Sequence, residues 1–440
     1  MDKKVAKIGL VTATAIVVAN MVGTGVFGSL GYQLLGIPSG FPIMVLWIVG
    51  GIVSLCGAVC YAEIASIFPK SGGEYHLLSR TWSPLIGFLA GWISVTVGFA
   101  APIAANAALM GSYLGRIFEI SPLVPALVTV ILVAIIHLGN LKNIGRFQSL
   151  FTYAKVGLIL ALGVICFSSV GAGTVSFLPQ EGDRELITSS AFAISFVYVL
   201  YAYTGWNAAV YMMDEVKRPE KTVPLALLIG TAVVTALYVF LNASFLYSTP
   251  VETLSGEAEV GFVAAEQVLG SKGGMTMGIL ISFGLISTIS SMTWAGPRVA
   301  AAMGRDHRRF GLFAKTNSNG IPALAIALQS LIVVVLVLSA SFDQIIHYVQ
   351  AILTVSSLIV VIGVVSLRIK HPDWKRPYRA WAYPLTPLIF AAVSLYVLVF
   401  QIREKPVEFL FGLGTVALGI VFYFICARSN SLDSETETCD

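Results

Sequence analysis

V-V-A-N-M-V-G-T-G-V-F, residues 17–27, lies in the middle of the first long apolar run of this 440-residue chain. The run covers residues 8–35, enough to cross a hydrocarbon core, which takes about 20 residues. Asn20, Gly23, Thr24 and Gly25 therefore fall at mid-depth, where unwound backbone exposes N–H and C=O groups that lipid cannot satisfy. A second run carries the same interruption: Y-V-L-Y-A-Y-T-G-W-N-A-A-V, residues 198–210, with Thr204, Gly205 and Asn207 near its middle. The two runs are the first and the sixth. That spacing suits two five-helix repeats of opposite topology whose first helices break at the bilayer midplane. A half-helix starting near Gly25 offers free N–H groups and a positive dipole end, suited to a carboxylate. Half-helices ending near Met21 and Tyr201 offer free carbonyls, suited to an ammonium. One such site reads both ends of an α-amino acid without a charged side chain. Alternatively, Gly23-Thr24-Gly25 is a small-residue packing face; the matching interruption in the sixth run argues against this.

Composition points the same way. The chain is 57% hydrophobic and 11% charged, with mean hydropathy +0.85. Soluble domains carry about a quarter charged residues. Twelve spans are predicted, at 8–35, 41–67, 84–115, 122–138, 147–169, 187–213, 222–247, 273–303, 321–340, 344–369, 381–401 and 407–427, with an amphipathic loop helix over 257–270. The first run keeps its polar residues and is followed by many others, so it reads as a span and not a cleaved signal. With the N-terminus inside, the outer segments hold only Arg116, Arg184, Lys272, Arg403 and Lys405 of the 27 Lys and Arg residues. That bias favours a multi-pass protein of the cytoplasmic membrane with both termini inside.

Cys56, Cys60, Cys166, Cys426 and Cys439 form neither a disulfide framework nor a zinc pattern. No nucleotide-binding motif and no His/Cys/Asp cluster is present, so a primary pump or membrane enzyme is not expected. Nor is a metal, a cofactor or a nucleic-acid partner. A channel would want a pore-lining polar ring, and none is found.

Lys155 stands in F-T-Y-A-K-V-G-L-I-L, about three turns into the fifth span. A mid-membrane lysine costs about 2.5–3.5 kcal/mol on insertion scales and should face a polar interior. The alternative is a lysine snorkelling to the cytoplasmic surface. With no acid deep in any span, its expected partners are carbonyls of the broken first helix and hydroxyls such as Thr288 or Ser291.

Several motifs, in order along nearly the whole chain, resemble the amino acid–polyamine–organocation superfamily and its L-type amino acid transporter branch. They are M-V-G-T-G-V-F at 21–27, Y-A-E-I-A-S-I-F-P-K-S-G-G-E-Y at 61–75 and G-N-L-K-N-I-G-R-F-Q at 139–148. Y-A-Y-T-G-W-N at 201–207, D-E-V-K-R-P-E-K-T-V-P at 214–224 and P-D-W-K-R-P-Y-R at 372–379 complete the series. The resemblance implies an all-α membrane protein of twelve transmembrane helices with the leucine-transporter fold. Residues 1–170 and 187–370 would be the inverted repeats, 381–427 two peripheral helices, and 428–440 a disordered cytoplasmic tail. It also implies alternating access around a midplane site. Gly23, Thr24 and Gly25 would take the carboxylate, and the carbonyls of Met21, Val22, Tyr201 and Ala202 the amine. Tyr201 would be an aromatic lid, with Asn20, Thr204 and Asn207 lining the site. Lys155, with Ala19, Thr288 and Ser291, would stand where sodium-coupled relatives hold an ion. The loop between the third and fourth spans has no cysteine, so the disulfide-linked single-pass partner of animal members is not expected. The sequence departs from its relatives at His307, in M-G-R-D-H, where glycine is usual. It also has Thr204 where large-substrate relatives carry glycine, and Asn207 where the arginine/agmatine antiporter carries an acid.

The resulting expectation is a sodium-independent secondary transporter, an exchanger or proton-linked, for small to medium neutral L-amino acids. A non-transporting amino acid sensor on the same fold is the alternative. Trp206 reads as a packing anchor. Glu63, Lys70 and Glu74 read as gate or loop-ordering charges at the cytoplasmic edge, or as a solvated face. No acidic side chain is expected near the site.

Overall fold

The computed structural model describes residues 7–139, 144–169, 171, 175–318 and 320–436, with side chains except at 144–149 and 427–436. Lys3, Lys4, Lys142, most of the 139–148 motif and residues 437–440 of the tail lie outside the described residues or side chains. Among the described residues the architecture is all-helical, with one isolated parallel bridge, Ile8 to Val216. Nine helical runs among the described residues are long and apolar enough to cross a membrane. Leu123–Leu138, Ser190–Ala202 and Ala323–Ser339 are shorter apolar helices.

The first run is α1 (Leu10–Met21) and α2 (Thr24–Leu34), followed by α3 (Gly40–Ile67) and the short α4 (Gly73–Thr81). α5 (Pro84–Ile93) and α6 (Ala100–Phe118) form one continuous run through a π-helical turn at Ser94–Gly98. There Phe99 N–H reaches Ser94 O at 3.1 Å, one residue further back than in an α-helix. Pro102, which has no N–H to donate, follows directly. α7 (Leu123–Leu138), α8 (Ile144–Ser168) and α9 (Asp183–Ile187) lead to α10 (Ser190–Ala202) and a 3₁₀ helix at Ala208–Glu215. α11 (Pro219–Ser248) and α12 (Val251–Leu254) precede α13 (Val260–Asp306). Gly270, at φ 73°, separates the predicted loop helix from the long span that follows. After α14 (Gly311–Ala314) come α15 (Ala323–Ser339), α16 (Phe342–Lys370), α17 (Leu385–Glu404) and α18 (Pro406–Thr436). α18 runs past its predicted end at 427.

The broken elements sit at the centre. α1 packs on α11 and α8, α2 on α10 and α13, and α13 along α6. The breaks touch each other. Gly205 adopts φ 97°, a region that side chains avoid, and a Cβ there would lie 2.9 Å from the backbone of Asn20.

Glu63 and the 372–379 motif explain one another. Glu63 is 1% exposed, and its carboxylate accepts from Arg368 Nε at 2.9 Å, Arg368 Nη2 at 2.6 Å and the Ala380 N–H at 2.7 Å. Arg376 Nε approaches at 3.3 Å. This corrects the solvated-face reading for Glu63: the residue pins the end of α3 to α16 and to the loop before α17. Lys70 alone of the three edge charges is exposed. Removing one partner of a buried ion pair costs about 3–5 kcal/mol. Glu63→Gln is therefore expected to lower the melting temperature in detergent by several degrees, and an unchanged melting curve would contradict this assignment.

Candidate substrate site at the helix breaks

The midplane site is built by chain ends. α1 stops because Val22 turns extended, with φ −74° and ψ 97°, and Gly23 at φ −147° and ψ −146° precedes α2. Thr24, Gly25 and Val26 begin α2 and have no preceding turn to bond. Among the described residues, the N–H groups of Gly23, Thr24 and Gly25 have no hydrogen-bond acceptor. They point the positive end of the α2 dipole at the gap. Opposite them end α1 and α10, at Met21 and Ala202.

The carbonyls at those ends are not free, which corrects the sequence expectation. The Tyr238 hydroxyl, from α11, reaches Met21 O at 2.5 Å and Ala202 O at 3.1 Å, bridging the two breaks. Val22 O receives Lys155 Nζ at 3.1 Å and the Thr288 hydroxyl at 3.0 Å. Tyr201 O receives Thr204 Oγ1 at 2.7 Å. Val22 O and Tyr201 O, which also accepts from the Thr204 N–H at 2.9 Å, have both lone pairs engaged, whereas Met21 O and Ala202 O each keep one for a ligand.

Lys155 is 3% exposed and does not snorkel. Its ammonium donates to Ala19 O at 3.3 Å, Val22 O at 3.1 Å and Thr288 Oγ1 at 2.7 Å. α8, the C-terminal end of α1 and α13 thus meet at one cation. Ser291 does not join them: its hydroxyl donates to Thr288 O at 3.0 Å.

A cavity of about 10 Å³ lies between the breaks, lined by Asn20, Met21, Gly23, Thr24, Gly25, Tyr201, Ala202 and Thr204, with Pro102, Asn106, Thr288 and Met292. That is room for about one water, not for an amino acid. The Tyr201 hydroxyl lies 3.3 Å from Thr24 Oγ1 and closes one side. A second cavity, of about 70 Å³, shares Asn20, Pro102, Thr204 and Met292 with the first, and extends to Ser94, Tyr211, Ser357 and Glu74. Asn207 lines this second cavity and not the one between the breaks, so its expected place is corrected.

The expectation that no acid lies near the site is also overturned. Glu74, on α4, is buried on the second cavity and bonds Tyr61 Oη at 2.5 Å, Asn207 Nδ2 at 3.1 Å and the Ser356 hydroxyl. Burial pushes its carboxyl above the usual carboxylate range, partly offset by those three donors. The 61–75 motif gave no sign of this, because the burial comes from α3, α16 and the unwound segment closing over a short loop helix. Tyr238 and Asn106 were missed as well. Asn106 is a polar residue inside an apolar span, which was a readable signal. It donates to Pro102 O at 2.7 Å and leaves Oδ1 unpartnered beside Gly23. Tyr238 is an aromatic in an apolar run and carries no such mark.

The opposite side of the breaks is closed. Tyr32 of α2 stacks on Tyr198 of α10 at 5.7 Å, beside Phe342. Tyr198 also bonds Asp343, which pairs with Lys405 at 2.9 Å.

Comparison with known proteins places this geometry in a family. The family model described as amino acid permease matches residues 8–424. The mouse (Mus musculus) b(0,+)-type amino acid transporter 1 is 25% identical over 429 residues, covering 95% of this chain and 87% of the relative. The mouse large neutral amino acids transporter small subunit 2 is 27% identical over 443 residues, covering 95% and 80%. Mouse solute carrier family 7 member 12 is 26% identical over 449 residues, covering 98% and 95%. With a family match over nearly its full length and a polar gap between two broken helices at its centre, the chain belongs to the amino acid permease family of the amino acid–polyamine–organocation superfamily, membrane transporters and not enzymes.

Proposed function

We propose that this chain carries small to medium neutral L-amino acids across the cytoplasmic membrane by alternating access, without sodium, as an exchanger or a proton-linked carrier. In this reading residues 1–170 and 187–370 are inverted repeats within twelve transmembrane helices, both termini are cytoplasmic, and 381–427 is peripheral. The observation that carries it is the unpaired N–H row of Gly23, Thr24 and Gly25 facing the carbonyl ends of α1 and α10 across a buried gap. A zwitterion satisfies both sides. The gap is too small for one as it stands, so α2 and α10 must part from their neighbours for loading, as alternating access requires. Sodium independence follows from Lys155, whose ammonium already occupies the oxygens of Ala19, Val22 and Thr288. Glu74 does not oppose the preference for neutral substrates, since its oxygens are engaged by Tyr61, Ser356 and Asn207.

Counterflow of labelled alanine into proteoliposomes tests the reading. Unlabelled alanine, serine and threonine should compete well, and tryptophan and arginine poorly; arginine as the best competitor would overturn it. Thr204 borders both cavities. A methylene more or less in such a pocket is worth about 1–3 kcal/mol, so the preference should be graded and not absolute. Thr204→Gly is expected to improve competition by large neutral amino acids relative to alanine about tenfold, a change of about 1.4 kcal/mol. An unchanged ranking would remove Thr204 from the side-chain pocket.

A further inference from the structure

Glu74 combines three properties. It is a buried carboxyl, it borders the cavity that shares Asn20, Pro102, Thr204 and Met292 with the substrate gap, and among the described residues no Lys or Arg pairs with it. The other buried acid of this face, Glu63, is saturated by two arginines. A buried carboxylate without a counterion is costly, and the usual remedy is to bind a proton. The hydrogen bonds around Glu74 accommodate both forms. As carboxylate it accepts from Tyr61, Asn207 and Ser356. As carboxylic acid it donates to the Ser356 hydroxyl, which rotates from donor to acceptor, while Tyr61 and Asn207 keep donating to the other oxygen.

We propose that Glu74 is the proton-binding group of the carrier and that one proton enters the cell with each amino acid. This rests on the transport reading above and commits it to proton linkage. With the cavity dry, the carboxyl holds its proton. When the cytoplasmic side opens, water reaches the cavity and hydrates the charged form. The O–H bond of the acid then breaks, a cytoplasmic water takes the proton as hydronium, and the carboxylate stays on Glu74. The reverse step, from external hydronium, occurs when the outer side opens. The path is the shared lining of the two cavities at Asn20 and Thr204. Asn207 connects the event to the moving parts, since it belongs to the unwound segment after α10 and bonds Glu74 directly.

Among the described residues no charged group bonds Glu74. Tyr61 from α3 and Tyr211 from the 3₁₀ helix face it, and both are phenols. α16 presents the hydroxyls of Ser356 and Ser357, and its Arg368 is engaged by Glu63. α5, packed on α4, contains no ionisable side chain. From α13, Asp306 bonds Tyr75 at 2.6 Å. Lys70, Arg80, Asp214 and Asp306 act on His76, and none of them bonds Glu74.

The test uses the full chain in vesicles loaded with a pH-sensitive dye, with alanine flux measured in the same preparation. Wild type should acidify the lumen by about one proton per alanine entering, and uptake should fall as external pH rises, because the ionised form does not load. Glu74→Gln, permanently neutral, should bring the ratio of protons to alanine near zero and flatten the pH profile. Glu74→Asp should restore a proton ratio. Tyr61→Phe, which removes a donor to the carboxylate, should move the midpoint of the pH profile upward; it supplies the test if Glu74→Gln does not fold. Alanine flux in wild type with no proton movement would overturn the proposal and leave the transport reading standing, as would an unaltered proton ratio in Glu74→Gln or an unmoved midpoint in Tyr61→Phe. No alanine flux at all would sink both.

Discussion

Lys155→Ala should slow sodium-free alanine uptake by ten- to a hundredfold while changing the half-saturating alanine concentration less than about threefold. The ammonium makes three hydrogen bonds, to Ala19 O, Val22 O and Thr288 Oγ1, and the variant makes none of them. A hydrogen bond to a charged group contributes about 1.5–3 kcal/mol, and each 1.4 kcal/mol on a barrier is about tenfold in rate. Removal leaves the Ala19 and Val22 carbonyls without their cation and frees the end of α1 from α8 and α13, so the moving helix loses its fixed reference. The lysine does not line the gap where the substrate is placed, which is why turnover should suffer more than binding. The measurement is uptake into proteoliposomes with choline replacing sodium. Wild type should be indifferent to the replacement. A sodium requirement in wild type, or normal turnover in Lys155→Ala, would show that the ammonium does not do the work of an ion.

Gly25→Ala should abolish alanine binding, by about a hundredfold or more, in a protein that still purifies as a single species. A Cβ at position 25 would stand 2.3 Å from Ala202 Cα and 2.4 Å from Ala202 Cβ. Carbon atoms rest at about 3.5–4.0 Å, and backbone cannot swing aside as a flexible side chain would. α2 must therefore move off α10 by more than 1 Å at the point where the N–H row faces the carbonyl ends, and misplacement of that size costs about two orders of magnitude in a positioned site. The glycine is thus required by the close approach of two broken helices, whatever its N–H contributes to the ligand. Alanine-induced thermal stabilisation of the purified variant checks it. Wild-type stabilisation in Gly25→Ala would contradict the packing argument.

The breaks were legible because glycine, threonine and asparagine are conspicuous in apolar runs of this length, and lipid gives unwound backbone nowhere to bond. Lys155 was legible for the same reason: one cation in an apolar span must find oxygens, and a broken helix supplies them. Which oxygens was only partly readable. Ser291 stands one turn from Thr288, and sequence spacing does not say which hydroxyl the lysine meets. Glu74 was misread because burial of a loop helix depends on what closes over it, here Tyr61, Asn207 and Ser356 from three distant parts of the chain. Tyr238 was invisible because an aromatic in a spanning helix is ordinary until its hydroxyl is seen to bridge Met21 and Ala202. The π-helical turn before Pro102 left no mark beyond the proline itself.

The central claim is that backbone alone recognises both ends of an amino acid between the two breaks. Competition against labelled alanine by alaninamide, which lacks the carboxylate, and by propionate, which lacks the amine, tests it most directly. The N–H groups of Gly23, Thr24 and Gly25 are unpaired and suit an anion, and across the gap Met21 O and Ala202 O, each held only by the Tyr238 hydroxyl, keep a lone pair for a cation. Each analogue should therefore compete at least about a hundredfold more weakly than alanine, a loss of about 2.7 kcal/mol. If alaninamide or propionate competes as well as alanine, the end it lacks is not read at the helix breaks.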